Sequence, residues 1–182
     1  MPSLGIGLGL TRSLLLRPNT TVIATIRSLS TSTTDLEALG KAESSHLIIL
    51  PLACDDPASY PSLAAALQEE GIEHVDILIA NAGTSTSFLP ALSTLPAALL
   101  SDFQTNTLGP VLLFQTLYHL LEKSEKTGGP KFVVVSSSLG SIGDMEPVPC
   151  LSYGVSKAGV NFLVRKVHFE HKGVVSLAVH PG

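Results

Sequence analysis

The residues with the clearest capacity for chemistry are three serines, Ser136–Ser138, one tyrosine and one lysine. The serines follow Phe132–Val135, a β-branched run that is typical of a buried strand. Tyr153 and Lys157 are four residues apart at the start of a predicted helix, so their side chains share one face. A hydroxyl, a phenol and an ammonium group can therefore converge on one point.

Such a trio could perform acid–base chemistry on a carbonyl group. A free tyrosine has a pKa of about 10, so titration near neutral pH needs about 4 kcal/mol of differential stabilisation. A lysine one turn away favours the phenolate and supplies part of it, which makes the phenol a usable general acid or base. A serine hydroxyl can hydrogen-bond a carbonyl oxygen as it becomes an alkoxide. Taken alone, the same residues also fit an exposed helix face and an ordinary loop.

The composition indicates one domain with much buried surface. The chain has 182 residues, of which 45% are hydrophobic and 14% are charged, against a usual charged share of about 25%. The net charge of −4 and the lack of a basic cluster argue against a nucleic-acid partner. The apolar runs are too short for a membrane span. Cys54 and Cys150 make no disulfide framework and fit a reduced, cytoplasmic setting.

Apolar strands and helical patterns alternate along the chain. The predicted strands are Thr21–Ile26, His46–Leu50, Val75–Ala80, Phe132–Val135 and Val174–Val179. The predicted helices are Leu4–Leu16, Thr34–Ala42, Ser59–Glu70 (or from Pro57), Ala97–Lys126 and Ser152–His171. This pattern predicts an α/β fold, a three-layer Rossmann-like parallel sheet with helices on both faces, in a single domain over residues 1–182. In such sheets ligands bind at the carboxyl ends of the strands.

Six short motifs occur in one order over almost the whole chain. They are GIGLG at Gly5–Gly9, NAG at Asn81–Gly83, NTLGP at Asn106–Pro110, SSSLG at Ser136–Gly140, YGVSK at Tyr153–Lys157 and HPG at His180–Gly182. Each is weak alone, but in this order they resemble the short-chain dehydrogenase/reductase family. The wording is most similar to fungal carbonyl-reductase-like members and the norsolorinic acid ketoreductase group. Relative to the family pattern, both ends look truncated, without the usual first and last strands.

The resemblance implies a role for each residue of the trio. Tyr153 would donate a proton to a substrate carbonyl oxygen, while Lys157 would lower the pKa of Tyr153 and bind the nicotinamide ribose. Asn106 would support the lysine through water. With Gly140 in the family's glycine position, Ser137 is the catalytic serine, and Ser138 is the alternative.

The resemblance also implies a nicotinamide cofactor. Gly5, Ile6 and Gly7 would bring a helix start close to the pyrophosphate. Arg27 stands where an acidic residue would indicate NAD, so NADP (NADPH) is favoured over NAD. Alignment places Ala53 where the family commonly has an aspartate that holds the adenine, and Asp55 is the candidate substitute. The other implied cofactor-binding residues are Asn81, Ala82, Gly83, Tyr153, Lys157, Pro181 and Gly182.

These observations predict an NADPH-dependent reductase of a ketone or aldehyde, in fungal secondary metabolism. The substrate would be a small, largely apolar carbonyl compound held by loops Phe88–Leu95 and Gly143–Leu151. A homo-oligomer is expected through the long helix and the Tyr153 helix, with candidate contacts at Phe103, Leu113, Phe114, Phe162 and Phe169. The alternative is an inactive relic that binds a nucleotide or a partner subunit without turnover. No metal is predicted, because His168 and His171 lack a third ligand at suitable spacing.

Overall fold

The computed structural model describes residues 5–182, which form two compact units divided between Ala66 and Leu67. Its strands make two sheets, one with two strands and one with three, and every pairing is parallel. Parallel strands that alternate with helices confirm the predicted Rossmann-like α/β class. Among the described residues, no strand precedes the first helix and none follows the last strand. The description as a single domain stays a prediction.

The first unit is built from helix α1 (Gly5–Leu15), strand β1 (Thr21–Ile26), the short helix α2 (Thr34–Glu37) and strand β2 (His46–Pro51). Its core contains Ala24, Ile26 and Leu36, and Leu8 from the first turns of α1 packs against this cluster. Because α1 leads into β1 through a short turn and packs beside it, the two run in opposite directions. The amino end of α1 therefore lies at the carboxyl edge of β1.

Helix α2 is shorter than the sequence predicts. The helical pattern suggests Thr34–Ala42, but the helix ends at Glu37. The residues beyond it bond elsewhere: the N–H of Ala42 donates to the carbonyl of Leu15, and the carbonyl of Glu43 accepts from Asn19. These bonds hold the segment against the residues at the end of α1, so its backbone groups are not available for helical hydrogen bonds.

The second unit contains the three-stranded sheet. Strands β3 (Ile77–Ala80), β4 (Lys131–Val135) and β5 (Val175–Val179) lie in that order. Helix α3 (Ser59–Glu69) leads into this unit, and helices α4 (Pro96–Phe103), α5 (Gly109–Leu121) and α6 (Leu151–Glu170) belong to it. Because the strands are parallel, the residues that follow β3, β4 and β5 lie at one edge of the sheet. That edge carries the Asn81, Ser136 and His180 motifs.

The predicted long helix is interrupted and ends early. A π-helical turn, Gln104–Leu108, separates α4 from α5, and α5 ends at Leu121 rather than at Lys126. Pro110 explains the turn, because it has no N–H to donate to the carbonyl of Asn106. Ser124 ends the helix by donating its hydroxyl to Asp76 at 2.5 Å. Within residues 5–182, no helix is both long and apolar enough to cross a membrane.

Candidate active site

Lys157 is the buried cation of the site. It lies on the second turn of α6, and only 3% of its surface is exposed. Its ammonium group donates a hydrogen bond of 2.7 Å to the carbonyl of Val135, the last residue of β4. Burial lowers the pKa of Lys157 from 10.5 to about 8, because a charged form is disfavoured where water is scarce. Lys157 thus lies at the carboxyl edge of the sheet, and its lowered pKa means that it loses its proton more readily than an exposed lysine.

Tyr153 lies one helical turn before the lysine. The ammonium nitrogen of Lys157 is 5.5 Å from the centroid of the tyrosine ring. Burial raises the pKa of the phenol, a hydrogen bond with the side chain of Ser137 lowers it, and Cys150 and Asp102 raise it further. The net direction is upward. Burial dominates this shift, and the ammonium group of Lys157 is directed to the carbonyl of Val135; a lowering of the tyrosine pKa by the lysine therefore stays a prediction.

Ser137 is the serine that faces the tyrosine. It caps a single 3₁₀ turn, Ser138–Gly140, and its hydroxyl oxygen accepts a 3.2 Å hydrogen bond from the N–H of Leu139. The same side chain lies close enough to the phenol of Tyr153 to lower its pKa. Ser138 begins the 3₁₀ turn, and its side chain has no such effect on the phenol. The structure therefore brings Ser137, rather than Ser138, into the trio.

Asn106 is fully buried in the π-helical turn. Its amide oxygen accepts from the N–H of Thr84 at 2.8 Å, and its nitrogen donates to the carbonyl of Thr84 at 2.7 Å. The nitrogen also donates to the hydroxyl of Ser156 at 2.9 Å, and that hydroxyl donates to the carbonyl of Tyr153 at 2.7 Å. Asn106 thus connects the loop after β3 to the turn of α6 that carries the tyrosine.

Gly83 lies close to both Asn106 and Lys157. A β-carbon added at Gly83 would lie 3.3 Å from the amide oxygen of Asn106 and 3.4 Å from the ammonium nitrogen of Lys157. Asn81 and Ala82, at the end of β3, are partly buried, and Gly83 is exposed. The loop after β3 therefore approaches the buried asparagine and lysine so closely that a side chain at Gly83 would press on both.

Comparison with known proteins decides the family. The model of the family described as short chain dehydrogenase matches residues 3–182. The chain belongs to the short-chain dehydrogenase family.

Two curated fungal relatives and one solved structure illustrate the match. The norsolorinic acid ketoreductase of Aspergillus parasiticus is 39% identical over 185 residues, which cover 99% of this chain and 67% of that protein. The short-chain dehydrogenase RED3 of Pyricularia oryzae is 36% identical, over 98% of this chain and 72% of that protein. An NADPH-bound carbonyl reductase from chicken fatty liver superposes with a TM-score of 0.87 at 30% identity, over 99% and 76% of the two chains.

These matches confirm the resemblance to fungal ketoreductases and identify the chain as an oxidoreductase. As a short-chain dehydrogenase, it carries the Ser137, Tyr153 and Lys157 motifs on one sheet edge and one helix. The individual roles of these residues remain predictions that the geometry supports.

The implied pyrophosphate and ribose positions lie in the first unit of this short-chain dehydrogenase. Gly5 and Ile6 are exposed at the amino end of α1, and Gly7 is buried. Arg27 is exposed directly after β1, and Asp55 is exposed four residues after β2. Strands β1 and β2 are parallel and paired from Thr21 to Ile26. Arg27 and Asp55 therefore both lie beyond the carboxyl edge of this sheet, the edge at which α1 begins. Backbone N–H groups at a helix start suit an anion, and an exposed guanidinium suits a phosphate.

Pro181 and Gly182 follow β5 and are exposed. The carbonyl of Val179, at the end of β5, accepts a 2.8 Å hydrogen bond from the N–H of Ser136, which ties this strand to the start of the serine segment. The two histidines considered for metal binding lie elsewhere, and the ring of His171 packs 4.4 Å from that of Tyr118. The described residues contain no group of three or more His, Cys, Asp or Glu side chains that could hold a metal ion.

Two contributors to the site were missed from the sequence. Asp102 is fully buried on α4, accepts a 3.0 Å hydrogen bond from the N–H of Thr86, and raises the pKa of Tyr153. Ser156 accepts a hydrogen bond from Asn106 and donates one to the carbonyl of Tyr153, so it connects the asparagine to the helical turn that carries the tyrosine. Asp102 precedes Asn106 by one helical turn, and this spacing was the signal that could have revealed it.

Proposed function

We propose that this short-chain dehydrogenase is an NADPH-dependent reductase that converts an apolar ketone or aldehyde to an alcohol. The observation that carries the proposal is that the Ser137 side chain and the Tyr153 phenol lie together beside the buried ammonium group of Lys157. Two hydroxyl groups that face each other at a sheet edge can both bond the oxygen of one carbonyl group.

The raised pKa of Tyr153 keeps the phenol neutral at neutral pH, so it has a proton to give. A bound reduced nicotinamide cofactor would supply the hydride for the carbonyl carbon. The phenol of Tyr153 protonates the oxygen, and the hydroxyl of Ser137 stabilises the negative charge on that oxygen as it develops. The ammonium group of Lys157 stabilises the resulting phenolate until it regains a proton, and its lowered pKa eases that transfer.

Lys157 and the segment Asn81–Gly83 would hold the ribose and nicotinamide side of the cofactor. The support for this is that the absence of a side chain at Gly83 leaves its backbone close to the ammonium group of Lys157. Gly5–Gly7 would receive the pyrophosphate, and Arg27 the 2′-phosphate that distinguishes NADP from NAD. The chicken carbonyl reductase, which is described with NADPH bound, supports this preference.

The substrate side is apolar. Phe88 and Leu92 in one loop and Ile142 and Met145 in another are 67%, 100%, 80% and 70% exposed. The two loops come together where the N–H of Leu151 donates to the carbonyl of Leu89 at 3.5 Å. Large apolar side chains exposed on loops at the edge of a reaction centre suit a hydrophobic carbonyl compound. Relatives named norsolorinic acid ketoreductase support a ketone of fungal secondary metabolism.

A second copy of the chain is the proposed partner. Phe103 on α4 and Phe162 and Phe169 on α6 are 44%, 69% and 56% exposed, as an interface would require. Phe114 does not belong to this surface, because it is buried and its ring packs 4.9 Å from that of Phe132. Leu113 is partly buried.

Oxidation of NADPH in the presence of a panel of apolar ketones and aldehydes tests the proposal. We expect turnover by the wild-type chain and a loss of about 100-fold or more in Tyr153→Phe, since proton donation contributes about 10² to 10⁴-fold. Tyr118→Phe is the matched control, because it removes a phenol from α5 and should retain activity.

Binding is measured in parallel by thermal shift with NADPH and NADH. Stabilisation by NADPH without turnover on any carbonyl compound would favour the alternative, a nucleotide-binding protein without activity. Turnover that survives Tyr153→Phe would exclude Tyr153 as the proton donor.

A further inference from the structure

Asn161 makes two hydrogen bonds that enclose the serine segment. It lies on α6, one turn after Lys157 and two turns after Tyr153. Its amide oxygen accepts from the hydroxyl of Ser136 at 2.6 Å, and its amide nitrogen donates to the carbonyl of Gly140 at 3.1 Å. One planar amide thus bonds both ends of a five-residue segment, and Ser137 lies between those ends.

We propose that Asn161 is a positioning residue that sets the distance between the Ser137 hydroxyl and the Tyr153 phenol. The inference rests on the proposed reduction, because it concerns the geometry of the same site. Asn161 would act by tying both ends of segment 136–140 to the helix that carries the tyrosine. It touches neither Ser137 nor the reacting atoms in this arrangement, so it acts through the segment.

The chemistry of the two bonds requires an amide at this position. The carbonyl of Gly140 can only accept, so the nitrogen of Asn161 must face it. The hydroxyl of Ser136 can then donate to the amide oxygen, which fixes the orientation of the whole group. An aspartate could accept from Ser136 but could not donate to Gly140, and a leucine could do neither.

The bonds matter because Ser137 has few anchors of its own. Its backbone is extended, with φ −156° and ψ 151°, and its side chain has a local bond only to the N–H of Leu139 besides the contact with Tyr153. Ser136 is anchored by its N–H to Val179 in β5. Asn161 is the side chain that ties the segment to α6 at both ends. Without it, the position of Ser137 relative to Tyr153 would depend on the bond from Lys157 to Val135, just before the segment, and on backbone packing.

The test introduces Asn161→Leu into the wild-type chain, which carries Ser137, and into the Ser137→Ala chain, and measures the effect of the leucine in each. In the first background we expect kcat to fall by about tenfold to 100-fold, because a displacement of about 1 Å can cost 10²-fold. The KM for NADPH should change less than twofold. In the Ser137→Ala background, Asn161→Leu should have little further effect, because the group that it positions is gone. An equal loss in both backgrounds would overturn the inference.

Asn161→Asp and Ser176→Ala separate positioning from general stability. Asn161→Asp keeps the bond from Ser136 and should lose less kcat than Asn161→Leu, and it also serves if the leucine variant does not fold. Ser176→Ala removes a 2.9 Å bond from β5 to the carbonyl of Val164 in the same helix, away from the serine segment. It should lower the melting temperature without changing kcat.

Amide hydrogen exchange gives a readout that does not depend on turnover. The N–H groups of Leu139, Gly140 and Ser141 are bonded within the segment. Their exchange should be faster by at least about threefold in Asn161→Leu than in wild type, while exchange in β4 stays unchanged. Unchanged exchange in the segment would overturn the inference even if the wild-type chain reduces no carbonyl compound. Absence of wild-type turnover, with faster exchange in the variant, would count against the proposed function alone.

Discussion

Lys157 and Val135 are joined by a 2.7 Å hydrogen bond from the lysine ammonium to the carbonyl at the end of β4. This bond fastens α6 to the strand that leads into the serine segment, and it satisfies one proton of a cation that is otherwise taken out of water. In the proposed enzyme, the remaining protons of the ammonium group would be free to bond a ribose.

The burial of Lys157 should appear as pH-dependent stability. Its pKa is about 8 in the folded chain and near 10.5 when exposed. Below pH 8 both states hold the proton, so the cost of burying the charge is constant. Between about pH 8 and 10.5 the unfolded state binds more protons than the folded state, so the free energy of unfolding rises with pH, by up to about 3 kcal/mol.

Urea unfolding of wild type and Lys157→Met between pH 7 and 10.5 measures this term. The difference in unfolding free energy between the two chains should shift toward wild type as the pH rises through this window, because the variant lacks the lysine. A difference that does not change with pH would mean that Lys157 keeps its ordinary pKa.

Substitutions of the two candidate serines should separate them. Ser137→Ala should lower kcat/KM for carbonyl reduction by about 10²-fold or more, as expected when one donor to a developing oxyanion is lost. Ser138→Ala should stay within about threefold of wild type, because Ser137 is the serine whose side chain acts on the phenol. Steady-state kinetics on one ketone suffices, and the reverse ranking would assign the role to Ser138.

Gly140→Ala should disturb the fold around the serine segment. A β-carbon there would lie 2.6 Å from the carbonyl carbon of Lys157 and 2.9 Å from the nitrogen of Ala158, both backbone atoms that cannot move aside cheaply. Overpacking of this kind costs about 1–3 kcal/mol. Gly143→Ala is the control, because a β-carbon at Gly143 meets no atom within 4 Å. Thermal unfolding should show a lower midpoint for the first variant only; equal midpoints would show that the segment can move away from α6 at little cost.

Arg27→Ala should weaken the preference for NADPH. Loss of a hydrogen-bonded charge on the 2′-phosphate should raise the Kd for NADPH by about tenfold, given about 1.5–3 kcal/mol for such bonds. The Kd for NADH, which lacks that phosphate, should change little. Arg12→Ala removes the same charge from the last turn of α1 and is the matched control. Fluorescence titration of both nucleotides measures the Kd values, and a parallel loss for both would contradict a role for Arg27 in recognising the phosphate.

Local patterns in the sequence predicted the elements and the trio well. The β-branched run Thr21–Ile26 is bounded by polar residues, and the strand has those bounds in the structure. Tyr153 and Lys157 share a helix face because four residues make about one turn. This proximity follows from helix geometry and needs no contact between distant segments. The alternation of apolar strands and helices predicted the parallel pairing of the strands.

Contacts between distant segments could not be predicted. Asn106 and Ser156 are fifty positions apart along the chain, and only the packed structure shows their bond. The net rise in the pKa of Tyr153 depends on burial and on Asp102, neither of which can be inferred from spacing. The early end of α5 depends on the bond from Ser124 to Asp76, again between separate segments.

Successive turns of α6 carry Tyr153, Lys157 and Asn161 on one face. One helix, like a rigid rod, thus holds the proposed proton donor, the neighbouring cation and the side chain that bonds the serine segment. The loops with exposed Phe88, Leu92 and Ile142 belong to other parts of the chain. Evolution can therefore change the substrate loops while the spacing along the rod stays constant. In such a design, new substrates are acquired without rebuilding the machinery for proton transfer.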